Sequence, residues 1–303
     1  MILMSVSLKK VSYSGWNDCI EVSNGLVNFI ATTEIGPRII RFGFVGQANE
    51  FSINDEDAGK KGENIWRNYG GHRLWHSPEA MPRTYTLDNF PIKCEEIENG
   101  IKLIQEPKDY ANIQKEIEIT LDPNNPIARV KHTLINKGAW AVELSPWAIS
   151  VMATGGLQVV EQPNKDTGLL PNRALVLWPY SHMKDHRIHF GDKYIIFEQD
   201  PNTKEPFKFG IQNEKGWAAY FNHNHLFIKK FKHDDNAVYP DYNASYETYT
   251  TDWMMEMESL GPMVKLEPGA STVHVEEWTL YDNVKRPSIN EKEIEELLSK
   301  YVK

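Results

Sequence analysis

Short runs of alternating apolar and polar residues follow one another along almost the whole of this chain, divided by clusters of Gly, Pro, Asn and Asp. A period of two marks a strand with one buried face, because successive side chains leave an extended backbone on opposite sides. Strands are therefore expected at residues 19–23, 26–32, 38–44, 101–105, 113–121, 127–136, 140–145, 194–198, 216–222, 226–232, 246–259 and 271–281. Asn99-Gly100, the 122–126 stretch DPNNP, Asn136-Lys137-Gly138 and Glu267-Pro268-Gly269 supply the positive-φ or fixed-φ residues that chain reversals require. No repeat, low-complexity tract or linker interrupts the pattern, so residues 1–286 are expected to form one all-β domain. The end of the chain changes character. Ser288 and Glu291 have capping-box spacing, and Ile289, Ile294, Leu297, Leu298 and Tyr301 recur at helical intervals, which predicts a short C-terminal helix over 287–303 packed on the β domain. Residues 55–69, charged and containing glycine, read as a loop or a short helix carrying Trp66.

Composition narrows the partners. A formal net charge of −9 disfavours a nucleic-acid surface, which needs a clustered excess of Lys and Arg. The opening residues MILMSVSLKK give neither a secretory leader nor a membrane span, so a cytoplasmic location is expected. Cys19 and Cys94 lack metal-ligand spacing and read as reduced thiols. Nine tryptophans are a heavy load, and flat rings serve equally as core filler and as platforms for the C–H faces of sugars.

The stretch from Glu247 to Tyr281 carries the main chemical signal. In a strand, Met255 and Met257 point one way while Glu256 and Glu258 point the other, roughly 7 Å apart and next to Trp253. A carboxyl partly buried among aromatic rings has its charged form disfavoured, which moves it toward a useful range for proton transfer. The plain alternative is an acidic strand face in water. In the NYGGHRLWHSPE stretch, His72, Leu74 and His76 share one face if the chain is extended and Arg73 and Trp75 share the other, so only one set can meet a ligand. Gly70-Gly71 permits close approach of a ligand to the backbone, or simply makes a turn. Arg38 and Arg73 could fork hydrogen bonds to hydroxyls, a carboxylate or a phosphate, or serve in packing. His182, His186 and His189 have a spacing that would align two imidazoles on a helix, but no acidic ligand pattern accompanies them, and no metal is expected. His223 and His225 read as loop residues, and no phosphate-binding or nucleophile-elbow motif occurs.

Three blocks together resemble the galactose mutarotase-like superfamily, which includes the aldose 1-epimerases: residues 34–51 (EIGPRIIRFGFVGQANEF), residues 68–79 (NYGGHRLWHSPE), and the C-terminal glutamate strand with its Leu266-Glu-Pro-Gly269 turn. FKFGIQNEKGWAAYFNHNHLFIKKF and YPDYNASYETYT resemble more narrowly an uncharacterised branch of that superfamily. The resemblance implies a large antiparallel β-supersandwich that acts on a small-molecule sugar without cofactor, as monomer or homodimer. It implies catalysis by Glu258 or Glu256 as base, with Glu258 favoured because it directly precedes the Ser-Leu-Gly-Pro loop, and by His72 or His76 as acid. Arg38, Arg73, Trp75, Trp147 and His182 are the expected substrate contacts, His182 also being available as the acid. One departure stands out: where the aldose 1-epimerases place a second histidine, LSPWAISVMATGG offers Trp147. That departure favours a second reading, a carbohydrate-binding protein that has lost its chemistry. Glycoside cleavage is a third, although two carboxylates projecting in parallel from one strand flank a substrate poorly.

Overall fold

The computed structural model describes residues 5–302; residues 1–4, within the segment read above for a leader, and residue 303, at the end of the expected tail, lie outside the described residues. In chain order the strands are β1 (Ser7–Tyr13), β2 (Trp16–Ser23), β3 (Val27–Thr32), β4 (Arg38–Phe44), β5 (His72–Ser77), β6 (Lys93–Ile97), β7 (Gly100–Gln105), β8 (Ile113–Leu121), β9 (Ile127–Asn136), β10 (Val142–Met152), β11 (Leu157–Glu161), β12 (Leu175–Leu177), β13 (Ile188–Phe190), β14 (Tyr194–Glu198), β15 (Phe207–Ile211), β16 (Trp217–Asn222), β17 (His225–Phe231), β18 (Tyr246–Thr250), β19 (Met255–Leu260), β20 (Val264–Leu266) and β21 (Ser271–Tyr281). They form an 11-stranded first sheet, ordered β1-β2-β3-β4-β5-β10-β19-β18-β15-β12 with β20 on β10, and a 10-stranded second sheet, ordered β13-β14-β11-β16-β17-β21-β9-β8-β7-β6. The pairings are antiparallel. This is the all-β sandwich that the alternation predicts.

The inner faces meet in one large core. Phe42, Phe207, Phe209, Met255 and Met257 of the first sheet are buried against Leu103, Ile117, Val130, Phe227 and Trp278 of the second. Each such side chain contributes about 1.5–3 kcal/mol by leaving water. The outer face of the second sheet is covered differently, by the C-terminal helix Glu291–Leu298, whose Ile294 and Leu298 pack on Leu157, Trp217 and Ile228.

Local details depart from the sequence reading. The expected 246–259 strand is a hairpin, β18 and β19 paired to each other and folded at residues 251–254. The strand expected at 140–145 begins at Val142 and runs on to Met152. Pro146 sits inside it, at the gap where its neighbour changes from β20 to β19, so the missing N–H costs no ladder bond on that side. The helix is capped by Asn290, which accepts from the N–H groups of Lys292 and Glu293, while Ser288 binds the Glu293 carboxylate instead of forming the expected box with Glu291. Residues 55–69 hold no helix, and Asn89 pins that loop by donating to Glu63 O at 2.8 Å and Ile65 O at 2.5 Å. Both cysteines are free. No helix among the described residues is long and apolar enough to cross a membrane.

Candidate functional site

On the outer face of the first sheet, β5, β10, β19, β18 and β15 lie side by side. Alternation along each strand decides what that face presents. Leu74, Met255, Met257, Tyr246, Phe207 and Phe209 turn into the inter-sheet core, which sends Arg73, Trp75, Trp147, Ile149, Glu256, Glu258, Glu247, Tyr249 and Lys208 outward. Loops rise over this face and enclose a cleft of about 760 Å³, adding Trp66, Arg67 and Asn68, then Glu79 and Tyr85, Trp178 and Tyr180, and Trp253 and Met254. Gly70 and Gly71, which lead into β5, have φ of +79° and +70°, and a Cβ on them would meet Ser52 O at 2.2 Å and Ile39 O at 2.4 Å. These glycines serve approach of chain to chain, not of ligand to backbone.

Cations organise the aromatic walls. Arg73 donates to Glu256 Oε1 at 3.0 Å and to Asn68 Oδ1 at 3.2 Å, and its guanidinium lies 4.5 Å from the Trp75 ring centroid. Lys208 Nζ is 4.6 Å from the ring centroids of both Trp147 and Trp178. The same ammonium lies 2.8 Å from Glu247 Oε2 and donates to Glu258 Oε2 at 3.1 Å. The Trp147 indole N–H donates to that Glu258 oxygen at 2.8 Å. Trp75 packs edge-on against Trp147 and Tyr85, with ring centroids 5.5 and 5.1 Å away.

Burial pushes the Glu258 carboxyl up to about 7, against the pull of Lys208 and with help from Glu256. Glu247 is raised well above the usual carboxylate range, by burial first. Burial alone would lower Lys208, but Glu247 and Glu258 outweigh it and hold the ammonium charged. Burial also raises Tyr85, Tyr180 and Tyr249, which keeps their phenols protonated as hydrogen-bond donors.

Of the residues read from sequence, Arg73, Trp75, Trp147 and Glu256 line the cleft together. Glu258 is fully buried and lies outside the lining, held by two side chains that do line it. The histidines expected as acid are elsewhere, because β5 alternates: with Arg73 and Trp75 outward, His72, Leu74 and His76 face the second sheet. His72 Nε2 bonds His132 Nε2 at 2.7 Å, and its Nδ1 bonds Ser150 Oγ at 2.8 Å. His76 is buried with no partner on either nitrogen and belongs to a separate crevice with Arg83 and Tyr110. Burial pulls His72 well below, and His76 to about 3 from, the ordinary imidazole value. Arg38 is buried against Asp88 Oδ2 and Gly70 O, both at 2.5 Å, and braces the loop before β5 instead of contacting the cleft. His182 is exposed and does not line the cleft. His186 and His189 sit in irregular chain and a short strand, so their spacing aligns nothing on a helix.

Lys208, Glu247, Trp178, Tyr85, Tyr249 and Glu79 were not singled out from sequence. Lys208 sits between Phe207 and Phe209 in an alternating run, a pattern that reads as a solvated lysine until the sheet order sets β15 beside β18 and β19.

Ligand atoms of His72, His132 and Glu276 lie within 4.8 Å of one another in the inter-sheet core. The bonds already present do not suit a cation. Lys229 Nζ is 2.9 Å from Glu276 Oε1, Ser259 Oγ and Trp278 Nε1 donate to the same carboxylate at 2.5 and 2.8 Å, and His132 Nδ1 reaches His274 O at 3.1 Å. An ammonium supplies the positive charge there, and each of these ligand atoms is spent on a hydrogen bond.

No family model matches the chain, and no curated protein matches it. Solved structures do. A galactose mutarotase-like protein from Clostridium acetobutylicum superposes with a TM-score of 0.54 at 9% identity, covering 92% of this chain and 99% of that one. A galactose mutarotase-like protein from Lactobacillus casei gives 0.54 at 8% identity, over 87% of this chain and 100% of that one. A TPR-domain containing protein from Parabacteroides distasonis gives 0.59 at 14% identity, over 96% of this chain but only 56% of its own. Two stacked antiparallel sheets matched over nearly the full length of these chains give the conclusion that this chain has the galactose mutarotase-like fold.

Proposed function

We propose that this protein is a carbohydrate-active protein whose outer-face cleft binds a small sugar. The observation that carries the reading is the convergence of Trp66, Trp75, Trp147, Trp178 and Trp253 with the Arg73–Glu256 ion pair in one open cleft. Aromatic faces pack on the C–H side of a pyranose, and an ion pair with unused lone pairs and N–H groups takes its hydroxyls. The galactose mutarotase-like fold of the neighbours favours the same class of ligand by analogy.

A second reading, anomer exchange of the aldose 1-epimerase kind, draws on the carboxyls. Exchange needs a base at O1 and an acid at the ring oxygen, both near the working pH. Glu256 lines the cleft on β19, with Glu79 and Asp57 in its walls, and the Glu258 carboxyl behind it is raised to about 7. No imidazole lines the cleft among the described residues, so any acid would come from the carboxyl and phenol groups there. Glycoside cleavage is the weaker reading, since Glu256 and Glu258 leave one face of one strand.

Saturation-transfer NMR over a panel of aldoses tests both. Binding is expected to appear for at least one sugar and to fall in Trp75→Ala; exchange faster than buffer would add the enzymatic reading. A panel with no bound sugar would end the proposal.

A further inference from the structure

Charge in the cleft is distributed unevenly. Arg73 is bonded to Glu256, Arg67 to Asp57 and Glu63, and Lys208 to Glu247 and Glu258, so each cation lining the cleft is already matched by at least one carboxylate. Glu79 is different. It is exposed in the wall just after β5, it forms no ion pair among the described residues, and its bonded partner is the neutral Tyr85 hydroxyl, which donates to it. Tyr85 in turn stands against Trp66 and Trp75, with ring centroids 5.2 and 5.1 Å away.

From this arrangement we propose that the cleft selects a sugar bearing a protonated amine, a 2-amino-2-deoxyhexose or similar, with Glu79 as the residue that selects it. The proposal rests on the reading of the cleft as a sugar site and narrows it. An ammonium brought to this wall meets an unpaired carboxylate and the electron-rich faces of adjoining rings, both of which attract it. A sugar phosphate or uronate finds no unmatched cation and would have to break an existing ion pair while approaching a free negative charge. A neutral sugar is indifferent to Glu79 beyond a hydrogen bond. The aromatic and ion-paired parts of the cleft fix that a sugar binds; Glu79 sets which charge it carries.

Titration calorimetry of the full chain near pH 6.5 and low salt tests this, using glucosamine and galactosamine against glucose, galactose and the hexose 6-phosphates. The aminohexose is expected to bind about three- to tenfold tighter than its parent, and the 6-phosphate more weakly than the parent. The amine advantage should shrink toward one in about 0.5 M salt, where exposed charges are screened. In Glu79→Gln the ratio of amine to parent affinity is expected to fall to about one, with the unfolding midpoint confirming an intact fold. A phosphate that binds as tightly as the neutral sugar, or an amine advantage that survives Glu79→Gln, would overturn the assignment of Glu79 while leaving the sugar site intact. Failure of every sugar to bind would overturn both.

Discussion

Glu247 and Glu258 face each other in register across β18 and β19, and the single Lys208 ammonium lies 2.8 Å from one and 3.1 Å from the other. Two carboxylates and one ammonium, all buried, carry a negative charge unless a proton joins them. Burial supplies the drive for that proton, which is why both carboxyls are raised while Lys208 stays charged. The shared lysine also lies against the two tryptophans that flank it, so an electrostatic triad on the outer face of the first sheet shapes the floor of the cleft.

Lys208→Met should therefore be costly and pH-dependent. Removing the cation leaves two buried carboxylates in direct opposition, a loss of about 3–5 kcal/mol by analogy with broken buried pairs. Carboxyls raised in the folded state favour folding at low pH, and that contribution disappears as pH rises through the folded value. Urea unfolding is expected to show a larger loss at pH 8 than at pH 5. An equal loss at the two pH values would contradict a charge-based role for this lysine.

His76→Leu should leave sugar binding unchanged and stabilise the protein by up to about 1 kcal/mol, because it replaces a buried ring with no partner on either nitrogen. The effect has a sign in pH. With His76 pulled from 6.5 to about 3, the unfolded chain binds a proton in that window that the folded chain refuses. Stability thus falls as pH drops below 6.5, by roughly 1.4 kcal/mol per unit for one such group. The variant should lose that part of the acid slope in equilibrium unfolding. Loss of sugar binding in His76→Leu would return the histidine to the list of cleft residues.

The strands were legible because burial on one face writes itself into alternation, and Met255, Glu256, Met257 and Glu258 point as that rule says. The turn inside 246–259 was hidden, since residues 251–254 (Thr-Asp-Trp-Met) contain neither Gly nor Pro. The strand expected at 140–145 stops just short of Pro146, which lacks the ladder N–H, yet the change of neighbouring strand at that point removes the need for one and the strand runs on. The cleft was half legible. Arg73 and Trp75 were set against His72 and His76 as alternatives, and choosing between them required knowing which side of β5 faces the second sheet. Lys208 was out of reach, as its partners are Glu247 and Glu258, distant in the chain and adjacent only through sheet order.

Glu256→Gln and Glu258→Gln should separate the two acidic positions that sequence left open. Glu256 meets the cleft and Arg73, so the amide is expected to weaken sugar binding about tenfold or more, the scale of a hydrogen bond to a charged group. Glu258 is beneath the lining, and its amide should act mainly on stability. Its carboxyl is raised from 4.5 to about 7, so the folded protein holds a proton that the unfolded chain releases between those values. Stability from this group is fully present below 4.5 and declines by roughly 1.4 kcal/mol per unit as pH rises toward 7. Glu258→Gln removes that decline and leaves Lys208 in a one-to-one pair with Glu247. Unfolding curves from pH 4.5 to 7 should then be flatter for Glu258→Gln than for the parent, while Glu256→Gln, which removes a charge that helps raise Glu258, should narrow the sloping window without abolishing it. Equal losses of sugar affinity in the two variants would mean instead that the whole outward face of β19 acts as one unit on the ligand.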